Sequence, residues 1–443
     1  MKAEKPRKVL IISSSGGGGC IQAAVAKEQE ERAKDPHVVV INRDIMKDWY
    51  LKLIGKLGVS AWNLGQRKGN VILLECLQKC QPVGDVLFWL QYFSRFLRLM
   101  LKEDIDHVID TQPQGTSAFL FALRVYNRMR KKNVILEKII VDLPTDKNTH
   151  FFRPIKSLSK KNKKLLRMVS IPPLLSPGQS AEDFWRRHCN ISERDVVYQK
   201  YVIRRAFCKI QGRQRDEMEF SFTARFDNPE EKRLLTKTLQ RGTMRAEVGE
   251  HSARFFIAPQ DRLITISLGS QPSYEATLGY VRRLLRVAME PDSIRTPIHM
   301  IVFCSYHKMG EDSLLRAVAD LILRMKDFPD NVTVVPLGFQ DDETVAQVFH
   351  RSDLTCTRSG GQTSMELMCV MNGEIWIHSE AKKPAGQSEE LSMDQLLKGI
   401  PGWEAGSALY LHRLWNAKIV TPDTFVPHGR KALSKKAVCR SQL

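Results

Sequence analysis

The chain has 443 residues, of which 43% are hydrophobic and 8% aromatic, and 68 Lys and Arg against 49 Asp and Glu leave a formal charge of +19. At about 150 residues per domain that length suggests two to three domains, and the composition excludes a disordered or fibrous chain. No stretch approaches the roughly 20 apolar residues of a membrane-spanning helix; the best candidate, Phe96 to Leu101, is broken by Arg98.

The opening MKAEKPRKVLIISSS carries only a short apolar run and is not expected to be a secretory signal. Nine cysteines scattered without a paired framework fit a reducing compartment. A cytoplasmic protein, free or membrane-associated, is therefore expected. The cationic excess implies either an anionic partner or simply a solvated surface. Arg153, Lys156, Lys160, Lys161, Lys163, Lys164 and Arg167 fall in one acid-free stretch suited to anionic head groups, at about 1 kcal/mol per cation near such a surface. Aromatic interleaving is missing there, so nucleic acid is the weaker partner.

Taken in chain order, KVLIISSS (residues 8–15) reads as a buried parallel strand, Gly16 to Gly19 as a loop, Cys20 to Lys34 as a helix and His37 to Asn42 as a second strand. This order opens a doubly wound α/β domain. Residues 84–103 (GDVLFWLQYFSRFLRLMLKE) suit a helix carrying Phe88, Trp89, Tyr92, Phe93 and Phe96, with Arg95, Arg98 and Lys102 along one face. A membrane-surface helix and a core helix both fit that pattern. Further strands are expected at His107 to Asp110 and Lys138 to Asp142, and the stretch from Ser170 to Glu250 reads as polar and irregular.

A second βαβ array restarts at Arg262 to Leu268, with strands at Ile298 to Cys304, Val332 to Leu337, Leu354 to Thr357 and finally Glu374 to His378. The expected organisation is an acceptor-side domain over 1–255 with an irregular basic region near 151–250, a second domain over 256–427, and a fraying basic tail over 428–443. Two doubly wound domains with a cleft between them follow.

Two loops suggest anion chemistry. The glycines ending at Gly17, Gly18 and Gly19 stand between a strand and a helix, where backbone N–H groups meet an anion or merely form a tight turn. The spacing is neither G-x-G-x-x-G nor a P-loop, because Cys20 follows Gly19. The second loop, Arg358-Ser359-Gly360-Gly361-Gln362-Thr363-Ser364-Met365-Glu366, runs from a strand into a helix. Its small residues and free N–H groups suit a diphosphate, Arg358 its charge and Glu366 a ribose; a capped helix fits as well. A third turn, Pro401-Gly402-Trp403-Glu404-Ala405-Gly406-Ser407, again precedes a carboxylate and a hydroxyl. Cys76 and Cys80 lack a second pair or a histidine, so no metal site is expected.

Together these segments resemble the GT-B glycosyltransferases of the group that includes monogalactosyldiacylglycerol synthase, processive diacylglycerol glucosyltransferases and the N-acetylglucosaminyltransferase of peptidoglycan synthesis. The likeness is carried by KVLIISSSGGGGCIQAA, by Ser267-Leu268-Gly269-Ser270-Gln271, by Gly338-Phe339, by the K-x-G-G-x-T-x-x-E-like loop from Arg358 to Glu366, and by Pro401 to Ser407. The resemblance implies two Rossmann-like domains facing a central cleft and transfer of a sugar from a nucleotide-diphosphate sugar, a co-substrate, with no cofactor or metal. By position Gly269, Ser270 and Ser359 to Thr363 would face the diphosphate, Glu366 the ribose, and Glu404 with Ser407 the sugar. Arg358 would serve the departing diphosphate. The family histidine is Cys20 here, and the family Gln and Asn of the last motif are Trp403 and Ser407. Asp142, in IIVDLPTDKNTHFF and followed by His150, is a candidate general base or else a turn cap before Pro144.

The expected activity is hexosyl transfer, by default to a lipid acceptor at a membrane surface, with residues 84–103 and the Lys160–Lys164 cluster as the surface-binding elements. The alternatives are an effector-type transferase acting on a protein, a scaffold that binds nucleotide sugar without turnover, and an epimerase of the same fold.

Overall fold

The computed structural model describes residues 5–15, 18–49, 52–214, 218–290, 296–383 and 390–425. Two parallel six-stranded sheets dominate it. The first contains β1 (Lys8–Ser13), β2 (Val39–Asp44), β3 (His107–Asp110), β4 (Leu136–Ile139), β5 (Leu166–Ser170) and β6 (Val196–Tyr198), in the order β2-β1-β3-β4-β5-β6. A three-stranded antiparallel sheet follows, with β7 (Phe220–Arg225), β8 (Arg245–Val248) and β9 (Ser252–Ile257) in the order β7-β9-β8. The second large sheet holds β10 (Arg262–Ser267), β11 (Ile298–Phe303), β12 (Val332–Leu337), β13 (Leu354–Thr357), β14 (Glu374–His378) and β15 (Lys418–Val420), in the order β12-β11-β10-β13-β14-β15. This is the doubly wound two-domain architecture that the resemblance implies.

Burial explains why these segments are strands. Val9 to Ile12 are fully buried and pair with β2 on one side and β3 on the other. Every residue of β11 is likewise buried. An apolar run covered on both faces is what a central parallel strand requires, and each large aliphatic side chain contributes about 1.5–3 kcal/mol on burial. In each sheet the strand order reverses at the first strand, between β1 and β3 and between β10 and β13. A crevice forms outside the carboxyl ends of the strands at such a reversal.

Between β2 and β3 lies a helical insert: α2 (Lys52–Arg67), α3 (Val71–Lys79), α4 (Gln81–Leu87) and α5 (Trp89–Glu103), numbered after α1 (Gly19–Lys34). The helix expected over 84–103 is thus two helices joined at Phe88. Tyr92, Phe96 and Met100 recur every fourth residue and are fully buried, so α5 is a core helix. Phe96 stacks on Phe119 at 5.1 Å, and Trp49 meets it edge-on at 6.2 Å. Phe119 belongs to α6 (Thr116–Arg130). Val83, Val86, Leu87 and Leu90 face solvent on α4 and the start of α5. No helix of the described residues is long and apolar enough to cross a membrane.

Other expectations shift. The strand expected at Lys138–Asp142 starts two residues and ends three residues earlier, at Leu136–Ile139, leaving Asp142 in the following loop. The segment from Ser170 to Glu250 is not irregular: it holds the helices Ala181–Cys189 and Pro229–Leu239 as well as β6, β7 and β8. Phe222 and Phe255 of the small sheet pack into the same core as Ile301, Val335 and Leu337. The small sheet thus packs against the second large sheet. Glu374–His378 is not the last strand, because β15 adds to it. Lys163 Nζ donates to the Cys189 and Asn190 carbonyls at 3.0 and 2.7 Å, closing a helix end. Lys160, Lys161 and Lys164 remain exposed. The tail over 428–443 lies outside the described residues.

Because Phe96 is enclosed by two aromatic partners, Phe96→Ala is expected to cost about 3–5 kcal/mol of unfolding free energy. Leu90→Ala, on an exposed position, should stay within about 0.5 kcal/mol. Paired urea titrations check both.

Candidate functional site

The carboxyl ends of both sheets meet across a cleft of about 350 Å³. From the first domain come Gly18, Gly19 and Cys20 after β1, and Asp142 and His150 after β4. From the second come Gly269 and Ser270 after β10, Gly338 and Phe339 after β12, and Arg358 and Gly360 to Thr363 after β13. Trp403 and Glu404 close one side. Gly17 lies outside the described residues.

Glycine is required at two of these positions. Gly269 turns with φ +85°, a backbone region that L side chains rarely adopt. Gly361 has no room for a side chain: a Cβ there would lie 2.3 Å from the Val141 carbonyl oxygen and 2.7 Å from Asp142 Oδ1. The loop after β13 therefore presses directly on the loop after β4. Gly18 approaches the other turn, its Cβ position 3.0 Å from Ser270 Oγ.

The helix Gly361–Val370 begins without a side-chain cap, so its first N–H groups are unshared with a capping oxygen, and its first three residues line the cleft. Thr363 is half-buried and lines the cleft. Ser359 does not line it: its hydroxyl is fully buried and donates to the Glu404 carbonyl at 2.8 Å, tying the loop to the helix Gly402–Trp415. Arg358 Nε donates to Glu404 Oε2 at 3.2 Å. Burial raises the pKa of Glu404, with Arg358 acting against that rise. Ser407 is fully buried, away from the cleft lining, and its hydroxyl finds no partner among the described residues.

Glu366 is engaged by a residue with no sequence signal. Arg204, in the segment after β6, holds both carboxylate oxygens: Nε to Oε1 and Nη2 to Oε2, each at 2.7 Å. Gln362 Nε2 adds a third donor at 3.0 Å, and Arg204 also pairs with Asp342. This bidentate pair compensates the burial of a carboxylate that is only 1% exposed. In this arrangement the oxygens expected to meet a ribose are taken.

Three further features come from packing rather than from spacing in the sequence. Trp403, at the family glutamine position, stacks on Trp62 of α2 at 5.1 Å across the cleft. Tyr306 and Phe339 stack at 4.6 Å with both rings partly exposed. Glu231 packs beneath Gly338, where a Cβ would lie 2.6 Å from its Oε1. Burial pushes the Glu231 carboxyl up to about 7. Burial also drives the Cys20 thiol far above its usual value, with the Asp142 charge adding to the effect, so it stays protonated at neutral pH. Among the described residues, no group of three His, Cys, Asp or Glu is placed to hold a metal ion, and Cys76 and Cys80 are exposed free thiols.

No protein-family model and no curated protein sequence matches the chain. Solved structures with a similar course include MurG from Acinetobacter baumannii, at 12% identity and TM-score 0.44, covering 97% of this chain and 91% of that one. A UDP-forming α,α-trehalose-phosphate synthase from Burkholderia vietnamiensis aligns at 12% identity and TM-score 0.44, over 97% and 92%. UDP-GlcNAc 2-epimerase from Methanocaldococcus jannaschii aligns at 10% identity and TM-score 0.42, over 98% and 94%.

Arg204→Ala strands a buried carboxylate and is expected to cost about 3–5 kcal/mol of stability in chemical denaturation. The Glu231 carboxyl, at about 7 when folded and near 4.3 unfolded, binds its proton more tightly in the native state. Its contribution is present at low pH and is lost as pH rises through that window. Glu231→Gln should flatten the fall in urea midpoint between pH 5 and pH 7, and an unchanged slope would refute the assignment.

Proposed function

We propose that this protein transfers a sugar from a nucleotide-diphosphate sugar to an acceptor hydroxyl, with a lipid acceptor at a membrane surface as the favoured class. The observation that carries this reading is the contact at Gly361, which sets the uncapped start of a helix against the loop bearing Asp142. A diphosphate at that helix start meets free N–H groups and the positive end of the helix dipole. Arg358, ion-paired to Glu404 across the same opening, supplies the charge to receive the departing diphosphate. An acceptor hydroxyl activated from the opposite wall then lies within reach of the anomeric carbon. Glu366 orders the site through Arg204, and a ribose at that position would exchange places with the guanidinium.

The lipid side of the reading is supported by Val83, Val86, Leu87 and Leu90, which expose an apolar strip on the helical insert. Lys160, Lys161 and Lys164 are exposed in the same domain. Such a pairing of apolar anchors and cations suits an anionic bilayer surface.

The test is a panel of nucleotide sugars scored for thermal shift and free nucleotide release. Stabilisation by one donor with slow release is expected, and Arg358→Ala should lose at least tenfold in release. Stabilisation without release would favour a binding scaffold, and no shift from any donor would overturn the reading. Co-sedimentation with phosphatidylglycerol vesicles, reversed by salt, is expected if the acceptor is a lipid; its absence favours a soluble acceptor.

A further inference from the structure

Beside the cleft lies a second cavity of about 720 Å³, walled by α4, the start of α5, the start of α6 and the segment 147–157. His150 lines both cavities. Its ring is wedged between Phe151, with centroids 4.7 Å apart, and Trp403, at 6.3 Å. Nε2 lies 3.1 Å from Asp142 Oδ2. Nδ1 is buried and has no hydrogen-bond partner among the described residues. A buried polar nitrogen left without a partner is costly unless something supplies one.

Asp142 links this histidine to the donor side. Its Oδ1 sits 2.7 Å from the Cβ position of Gly361, at the first residue of the helix that would hold the diphosphate, while Oδ2 faces His150. One carboxylate therefore touches the donor loop with one oxygen and the imidazole with the other. Cys20, on the glycine loop across the cleft, is a half-buried thiol that stays protonated and takes up no proton there.

We propose that His150 is the general base for the acceptor hydroxyl, with Asp142 as the residue that positions its imidazole. The assignment rests on the transfer reading above. A hydroxyl arriving through the second cavity meets His150 at the junction with the cleft. The acceptor oxygen forms its bond to the anomeric carbon as the bond from that carbon to the diphosphate oxygen breaks, and that bonding pair leaves on the diphosphate. Once the ring shifts enough to open the buried Nδ1 to the cavity, the hydroxyl proton passes to it, and the resulting imidazolium is held at Nε2–H by Asp142. Loss of that proton to water after product departure resets the site.

The experiment uses the full chain, the nucleotide sugar that it turns over, and water as the simplest acceptor. His150→Gln is expected to lower kcat by about 10²–10⁴-fold, the usual scale of general base catalysis, with the donor KM and the thermal midpoint unchanged. Asp142→Asn should act in the same direction, and the double variant should be no slower than His150→Gln alone, since the two act as one unit. His150→Gln retaining more than a tenth of kcat, or additive losses in the double variant, overturns the assignment while leaving the transfer reading standing. Donor binding without turnover by the unaltered chain leaves a base nothing to do and also overturns it. No binding and no turnover of any nucleotide sugar removes both.

Discussion

Much of this structure depends on one close approach, the backbone of Gly361 against the Val141 carbonyl and Asp142. Two doubly wound sheets can face each other in many ways, but only glycine lets the loops at their carboxyl ends touch without a side chain between them. That contact brings the start of one helix, with its unshared N–H groups, to the wall that carries a carboxylate and an imidazole. Residues that are chemically unremarkable alone acquire a common working volume. The same closeness explains why the carboxylates of Glu366 and Glu404 are each paired with an arginine, since an idle carboxylate in such a confined space is expensive.

The ties run between chain segments far apart in sequence. Arg204 reaches Glu366 over 162 residues, and Ser359 and Arg358 both bind the backbone or side chain of Glu404. These pins hold the loop after β13 in one conformation before any ligand arrives. A preorganised loop loses little entropy on binding, which favours affinity for a charged ligand over plasticity. Arg204 also stands between the two large sheets in chain order, in the segment after β6.

Legibility in the sequence followed the strength of the local signal. β1, β12, β13 and β14 are short apolar runs flanked by turn residues, and they stand where periodicity places them. The small antiparallel sheet was hidden because β7 (FSFTAR) and β9 (SARFFI) mix apolar and charged residues over six positions. Their order comes from cross-strand partners such as Phe222 and Phe255, whose rings stack at 4.9 Å. β6 and β15 are three residues each, below the length at which a pattern exists. In the site, the glycine-rich loop after β13 was readable because glycine and hydroxyl residues are constrained by backbone geometry. The partner of Glu366 was not, because a bidentate ion pair leaves no trace in spacing. Trp403 looked like a lost glutamine, and only the position of Trp62 shows what it does there.

That pair of indoles has an optical consequence. Trp62 and Trp403 belong to different domains, and their rings overlap at 5.1 Å with 29° between their planes. Two indoles this close share excitation, so their emission and near-ultraviolet dichroism depend on their separation. Any motion that widens the cleft unstacks them. The protein thus carries a built-in spectroscopic gauge of its own opening, with no added label.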